Sequence, residues 1–288
     1  YNAGNAVTTG ISNSFLGAYS GDATTDGDYN VAIGTEALTT NTLGHRSVAV
    51  GVSALKTQNY GSGTNAYNVA VGYGAGEAVT TGIENTLIGG NAGAALTDAD
   101  RNTAVGYQAL TTDTQGSKST AIGYNALSVQ NFSSATDSHN TAVGFEAGEN
   151  VTTGIQNTIV GGLAADALTT GNENTVVGYN ALASDTQGKR STALGTNALL
   201  TQNLTSSTNV YNVAVGHDAG RVVTTGQENV FVGAFCGDGT DNGSSNTAVG
   251  YAALTSNAGN SNTAVGKAAL TSCTNDDNTA VGQTAGGH

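Results

Sequence analysis

The chain has 288 residues, 38% hydrophobic and 10% charged, with 42 glycines, no Pro, Trp or Met, and a formal net charge of −13. So few large apolar side chains cannot fill a thick globular core, and a negative surface repels nucleic-acid phosphates and anionic membranes. No apolar run approaches the roughly 18 residues that a membrane-spanning helix needs.

From the first residues onward one element recurs. Asn-Thr-Ala-Val-Gly, or a close relative, occurs sixteen times, with its glycine at positions 17, 34, 51, 72, 89, 106, 123, 144, 161, 178, 195, 216, 233, 250, 266 and 282. Most steps equal the one from Gly89 to Gly106. A longer step recurs four intervals apart, from Gly51 to Gly72, Gly123 to Gly144 and Gly195 to Gly216, and the last two steps are shorter by one. A fixed short period dictates architecture. It predicts an all-β parallel β-solenoid, or β-roll, of sixteen coils of 16–21 residues grouped in four-coil, 72-residue super-repeats. Residues 1–288 read as a single continuous repeat domain. Because the sequence opens at Tyr1, it also reads as a segment of a longer protein.

Within a coil, Asn102-Thr103-Ala104-Val105-Gly106 serves as the example. Positions three and four of the motif are apolar in all sixteen copies. Adjacent strand residues point to opposite faces, so both faces are expected to be covered. One face looks into the lumen; the other, carrying Thr or Val at position two, needs a partner surface. Identical chains side by side would supply it. The Ala that usually follows three residues after the glycine, with Leu or Gly behind it, predicts a second short inward-facing strand. The glycine between is expected in a backbone conformation that other residues resist. Asn at position one predicts a hydrogen-bonded ladder along the axis, with Ser47, Ser119 and Ser191 as its exceptions.

The long coils carry enlarged segments at about residues 56–67, 128–139 and 200–211, which open with Gln58-Asn59, Gln130-Asn131 and Gln202-Asn203. Loops on a rigid scaffold carry binding. Tyr60, Phe132, His139 and Tyr211 are therefore the candidate binding residues, expected to protrude. Asp26 and Asp28, Asp98 and Asp100, and Asp238 and Asp241 read as a solvated acidic face rather than a calcium site. Arg46, Lys118, Lys189 and Arg190 cluster on one turn, positioned to face acidic groups across a chain boundary.

No catalytic constellation, cofactor motif or metal-ligand spacing is present. His45, His139, His217 and His288 share no motif, and no serine sits in a nucleophile elbow. Cys236 replaces Ala in a buried column and reads as a small hydrophobe. Cys273 lies too far from it for a disulfide.

The repeat Asn102-Thr103-Ala104-Val105-Gly106-Tyr107-Gln108-Ala109-Leu110, with Ser47-Val48-Ala49-Val50-Gly51 and Asn30-Val31-Ala32-Ile33-Gly34, resembles the head repeats of YadA-type trimeric autotransporter adhesins. It is also similar to repeats of phage tail-fibre-like and large bacterial surface proteins. The resemblance covers essentially the whole chain, although the adhesin heads have a shorter period. It implies a left-handed parallel β-roll, a homotrimer, and an extracellular position on a cell surface or virion fibre.

The expected function is a non-enzymatic structural and adhesive shaft, without cofactor or metal. Its expected partners are copies of itself and a host receptor, glycan or surface ligand, with no nucleic acid and no membrane insertion in this segment. One alternative is an ice-binding solenoid, using the threonine column that runs from Thr86 through Thr103, Thr120, Thr141, Thr158 and Thr175 to Thr192. A glycan-active solenoid enzyme is another, and it would need carboxylates gathered on adjacent coils.

Overall fold

A three-residue strand cannot form a sheet with its immediate sequence neighbours, so its partners have to come from one coil away. A computed structural model describes residues 1–287, and it forms two compact units, Tyr1–Asn140 and a second beginning at Thr141. In the first unit the motif strands are Ser14–Leu16, Val31–Ile33, Val48–Val50, Val69–Val71, Thr86–Ile88, Thr103–Val105 and Thr120–Ile122. Each pairs parallel and in register with the next. The second unit repeats this with Thr141–Val143, Thr158–Val160, Thr175–Val177, Thr192–Leu194, Val213–Val215, Val230–Val232, Thr247–Val249, Thr263–Val265 and Thr279–Val281. Its pairs are likewise parallel. The two units together contain about sixteen turns of an all-β parallel solenoid, with no helix among the described residues.

The core is the narrow lumen of the coil. Position three points into it, as do the Ala and Leu after the glycine: Ala104, Ala109 and Leu110 are all fully buried. Gly stands behind that Ala in coils that meet a large side chain at position three. Leu87 replaces the usual Ala at position three, and Gly76 and Gly93 lie on either side of it. A Cβ on either glycine would come within 2.7 Å of a Leu87 methyl. Phe231 is bracketed in the same way by Gly220 and Gly237. Interiors are packed too tightly to take both side chains.

The expected second strand is corrected. The segment after the motif glycine is a run of turns in which alternate residues take positive φ, Gln108 at 55° and Leu110 at 53°. Their N–H groups point in opposite axial directions: Gln108 donates to Gly90 O in the preceding coil (2.9 Å) and Leu110 to Ala126 O in the following one (3.0 Å). A strand would place Ala109 and Leu110 on opposite faces, whereas this alternation buries both.

The motif glycine behaves as expected, with φ between 131° and 147° in all sixteen coils. The asparagine ladder also forms, and its partners are backbone groups. Asn102 Oδ1 accepts the Ser119 N–H at 2.8 Å and its Nδ2 donates to Gly116 O at 2.9 Å, both one coil ahead. Asn85 does the same for Asn102 N–H (2.9 Å) and Ala99 O (2.8 Å).

The enlarged segments are mostly absorbed into the wall. Thr64–Asn65 pairs parallel with Gly44–His45, and Thr136–Asp137 with Gly116–Ser117. In the third, a single bridge joins Lys189 and Asn209. Only their tips, residues 61–63, 133–135 and 205–207, are exposed throughout.

Candidate functional site

The four candidate loop residues separate into two pairs. Tyr60 and Phe132 do not protrude: they are buried at 5% and 6% exposure, and Leu204 holds the equivalent place in the third super-repeat at 6%. The Tyr60 hydroxyl donates to Gly82 O at 2.7 Å. Tyr60 packs on Gly44 and Phe132 on Gly116, where an added Cβ would come within 2.8 Å of the ring. His139 and Tyr211 are exposed, as is Tyr67 one super-repeat earlier. All three have positive φ, between 50° and 56°.

Beneath each enlarged segment lies a buried polar network that explains why Ser replaces Asn there. A serine hydroxyl cannot replace both bonds of an asparagine amide, and the glutamine that opens the segment completes the ladder. Gln58 Nε2 donates to Ser47 Oγ (2.9 Å), and Gln58 Oε1 accepts from Asn68 Nδ2 (2.9 Å). Gln130 and Gln202 repeat the arrangement with Ser119 and Asn140, and with Ser191 and Asn212. In these two coils the glutamine also donates to a fully buried carboxylate, Asp113 (2.6 Å) or Asp185 (2.5 Å). Asn41 stands at that place in the first super-repeat, bonded to the Gly44 backbone through both amide atoms.

Burial pushes the Asp113 carboxyl above its ordinary value, against hydrogen bonds from Gln130, Phe132 and Gly116. A carboxyl whose folded pKa lies above its unfolded one destabilises the fold above the folded pKa. That penalty is relieved as pH falls through the folded value to the unfolded one. Asp113→Asn removes the buried charge but not the polar group, and is therefore expected to reduce the rise in stability on mild acidification. Thermal unfolding across pH checks this; superimposable wild-type and variant profiles would contradict it.

Three columns of side chains face outward. The first precedes each motif and comprises Ser12, Tyr29, Arg46, Tyr67, Glu84, Arg101, Lys118 and His139 in the first unit. Its members engage one another or the wall. Arg46 lies over both the Tyr29 and Tyr67 rings (5.5 and 5.7 Å) and bonds Asn65. Arg101 pairs with Glu84 at 2.7 Å, and Lys118 pairs with Asp137. In the second unit Arg190 pairs with Glu173 at 3.0 Å and donates to the Tyr211 hydroxyl at 2.9 Å. Lys118 and Arg190, expected to face acids across a chain boundary, pair with acids of their own chain, and Arg46 engages two rings and an amide in place of an acid. Lys118 and Arg190 hold Asp137 and Glu173 below the usual carboxylate range.

The second column is the outer face of the sheet, with Thr or Val (Ser14 in the first coil) at position two beside Val, Ile or Leu at position four. It carries no charge in any coil. Ile33, Ile88 and Ile122 remain 38–39% exposed there. The third column lies one residue past the motif glycine and includes Tyr73, Tyr107, Tyr124, Tyr179 and Tyr251. Tyr107 and Tyr124 stack with ring centroids 5.8 Å apart.

No family model, curated protein or solved structure matches this chain. The reading of the surface therefore rests on its own chemistry.

The acidic pairs are partly structural. Asp28 and Asp100 each accept a backbone N–H one coil back, from Ile11 and Ile83 (2.8 Å each), so they are not simply a solvated face. One carboxylate group was missed by sequence reasoning. Burial raises the Asp166 pKa, and the nearby Glu149 raises it further. Glu146 is raised by desolvation and then by Glu149 and Asp166. Glu146 and Glu149 are one turn apart, and Asp166 follows Glu149 by one ordinary coil; that spacing was the available signal. Among the described residues no group of three or more His, Cys, Asp or Glu is placed to hold a metal ion.

His45 Nδ1 accepts the Asp28 N–H at 2.8 Å, and His217 packs edge-on against Phe235. His288 lies outside the described residues. Both cysteines are free. Cys236 is buried, as its Ala-filled column predicts, donates to Ala248 O at 3.1 Å, and has its thiol pushed up to about 12 by burial. No helix of the described residues is long and apolar enough to cross a membrane.

Proposed function

We propose that the chain is a shaft segment of an extracellular fibre, on a cell surface or virion, that associates side by side with copies of itself and carries attachment surfaces on its flanks. The observation that supports this reading best is the uncharged outer face, where β-branched side chains at positions two and four stand half-exposed in coil after coil. Contiguous exposed apolar surface of this kind marks an interaction site. The resemblance to adhesin heads favours three chains and left-handed winding. The reading is non-enzymatic, with adhesion residing in residues that flank the association face.

Light scattering at micromolar concentration is expected to give three times the chain mass of 28.4 kDa. Charging the face with Val105→Lys and Ile122→Lys should dissociate the assembly while leaving the far-ultraviolet circular dichroism unchanged. A wild-type chain that stays monomeric at that concentration would sink the proposal.

A second reading draws on the in-register threonines of the same face, Thr86, Thr103 and Thr120 in one unit and Thr141, Thr158, Thr175 and Thr192 in the other. It is an ice-binding face, whose signature would be thermal hysteresis.

A further inference from the structure

The aromatic column contains a finer pattern. An aromatic residue, a small residue and a tyrosine follow one another in successive coils as Tyr73, Gly90 and Tyr107. The pattern recurs one super-repeat later as Phe145, Gly162 and Tyr179, and again in the next as His217, Ala234 and Tyr251. The two rings of a triplet stand two coils apart, about 10 Å at ordinary strand spacing, and the small residue is the floor between them. At Gly90 a Cβ would come 3.2 Å from Tyr107 Cδ2, so the Tyr107 ring leans over the floor of the triplet.

In the third triplet the molecule fills this gap itself. The Phe235 ring lies between the other two, with centroids 5.2 Å from His217 and 5.8 Å from Tyr251, edge-on to both. The residue at the place of Phe235 is Asn91 in the first triplet and Leu163 in the second. The first triplet therefore keeps a place that accepts a six-membered ring, and it has an amide where the third has the ring. Tyr73 and Tyr107 are 65% and 50% exposed, so the place opens to solvent.

We propose that Tyr73, Gly90 and Tyr107, with the amides of Asn91 and Gln108 at the rim, form a clamp for one pyranose ring of a neutral glycan. A pyranose presents apolar C–H faces and a rim of hydroxyls. Tyrosine rings suit the faces, because an aromatic ring offers an apolar body with a polar tip. The amides each bring a donor and an acceptor for the hydroxyls. An aromatic side chain from a partner would fill the space, as Phe235 does, but would give the Asn91 amide no hydrogen bond. The net charge of −13 disfavours acidic sugars. The clamp goes beyond the shaft reading and stands or falls separately from it.

Calorimetric titration of the full chain with cellohexaose, chitohexaose and maltohexaose tests the clamp. At least one probe is expected to bind. Asn91→Phe, which fills the gap as Phe235 does in the third triplet, and Tyr107→Ala, which removes one jaw, should each weaken that binding at least tenfold. Tyr251→Ala should leave it unchanged, since the third clamp is already occupied. Light scattering on the same samples should show Asn91→Phe associating as the wild type does, so a failed clamp is distinguished from a failed shaft. The proposal is overturned if none of the three probes binds, or if Asn91→Phe binds as tightly as the wild type. Competition for the same place by a phenylalanine-bearing peptide, with no sugar bound, would also overturn it and assign the clamp to a protein partner.

Discussion

Replacing Gly106 with valine is expected to destabilise the fold by about 4 kcal/mol, the sum of backbone strain and overpacking. The φ of 139° lies where L side chains rarely go, and a Cβ would come 2.6 Å from the Gly123 carbonyl carbon in the next coil. Neither conflict has an escape, because Gly123 is fixed by the same constraint as Gly106. Gly61 is the internal control: it lies at an exposed tip, with nothing within 4 Å of an added Cβ. Gly61→Ala should therefore stay within about 0.5 kcal/mol of wild type. Urea unfolding of both variants checks the pair. An unchanged Gly106→Val midpoint would show that the coil relaxes in a way the close backbone approach forbids.

The second large effect is expected from Asn102→Ala, at about 2–6 kcal/mol. Removing the amide leaves the Ser119 N–H and Gly116 carbonyl unsatisfied in a buried setting, and each orphaned group costs about 1–3 kcal/mol. Asn102→Ser should cost nearly as much. Serine serves at Ser119 only because Gln130 reaches it from the same coil (2.8 Å), and the coil of Asn102 has no such glutamine. Chemical denaturation of Asn102→Ser decides the matter, since wild-type stability in that variant would remove the glutamine's compensating role.

The strand, the motif glycine and the ladder were legible in the sequence because each depends on a residue type that a single constraint selects. Apolar residues at two adjacent positions marked a strand with both faces in use, and the fully buried Ala104 beside a half-exposed Val105 shows how unequal those faces are in one chain. The second strand was not legible as turns because its inward Ala-Leu pair looks like a buried strand. Nothing in Gln108 or Leu110 announces positive φ, and the conformation is imposed by hydrogen bonds to both neighbouring coils. The burial of Tyr60 and Phe132 was hidden because they sit in polar segments. The apolar Leu204 at the same super-repeat position was the signal for burial, just as the changing Tyr67, His139 and Tyr211 signalled exposure. The aromatic clamp was invisible because its jaws belong to coils that are not neighbours, and only the ring contacts of Phe235 revealed the space between them.

The axial direction of the backbone hydrogen bonds has a mechanical consequence. Tension along the coil axis loads the coil-to-coil bonds in sequence, so rupture proceeds one coil at a time from whichever boundary is weakest. Each ordinary coil that opens releases about 55 Å of chain, its contour length less the coil rise. A stack of such coils would lengthen in discrete steps under load where a rigid rod would snap.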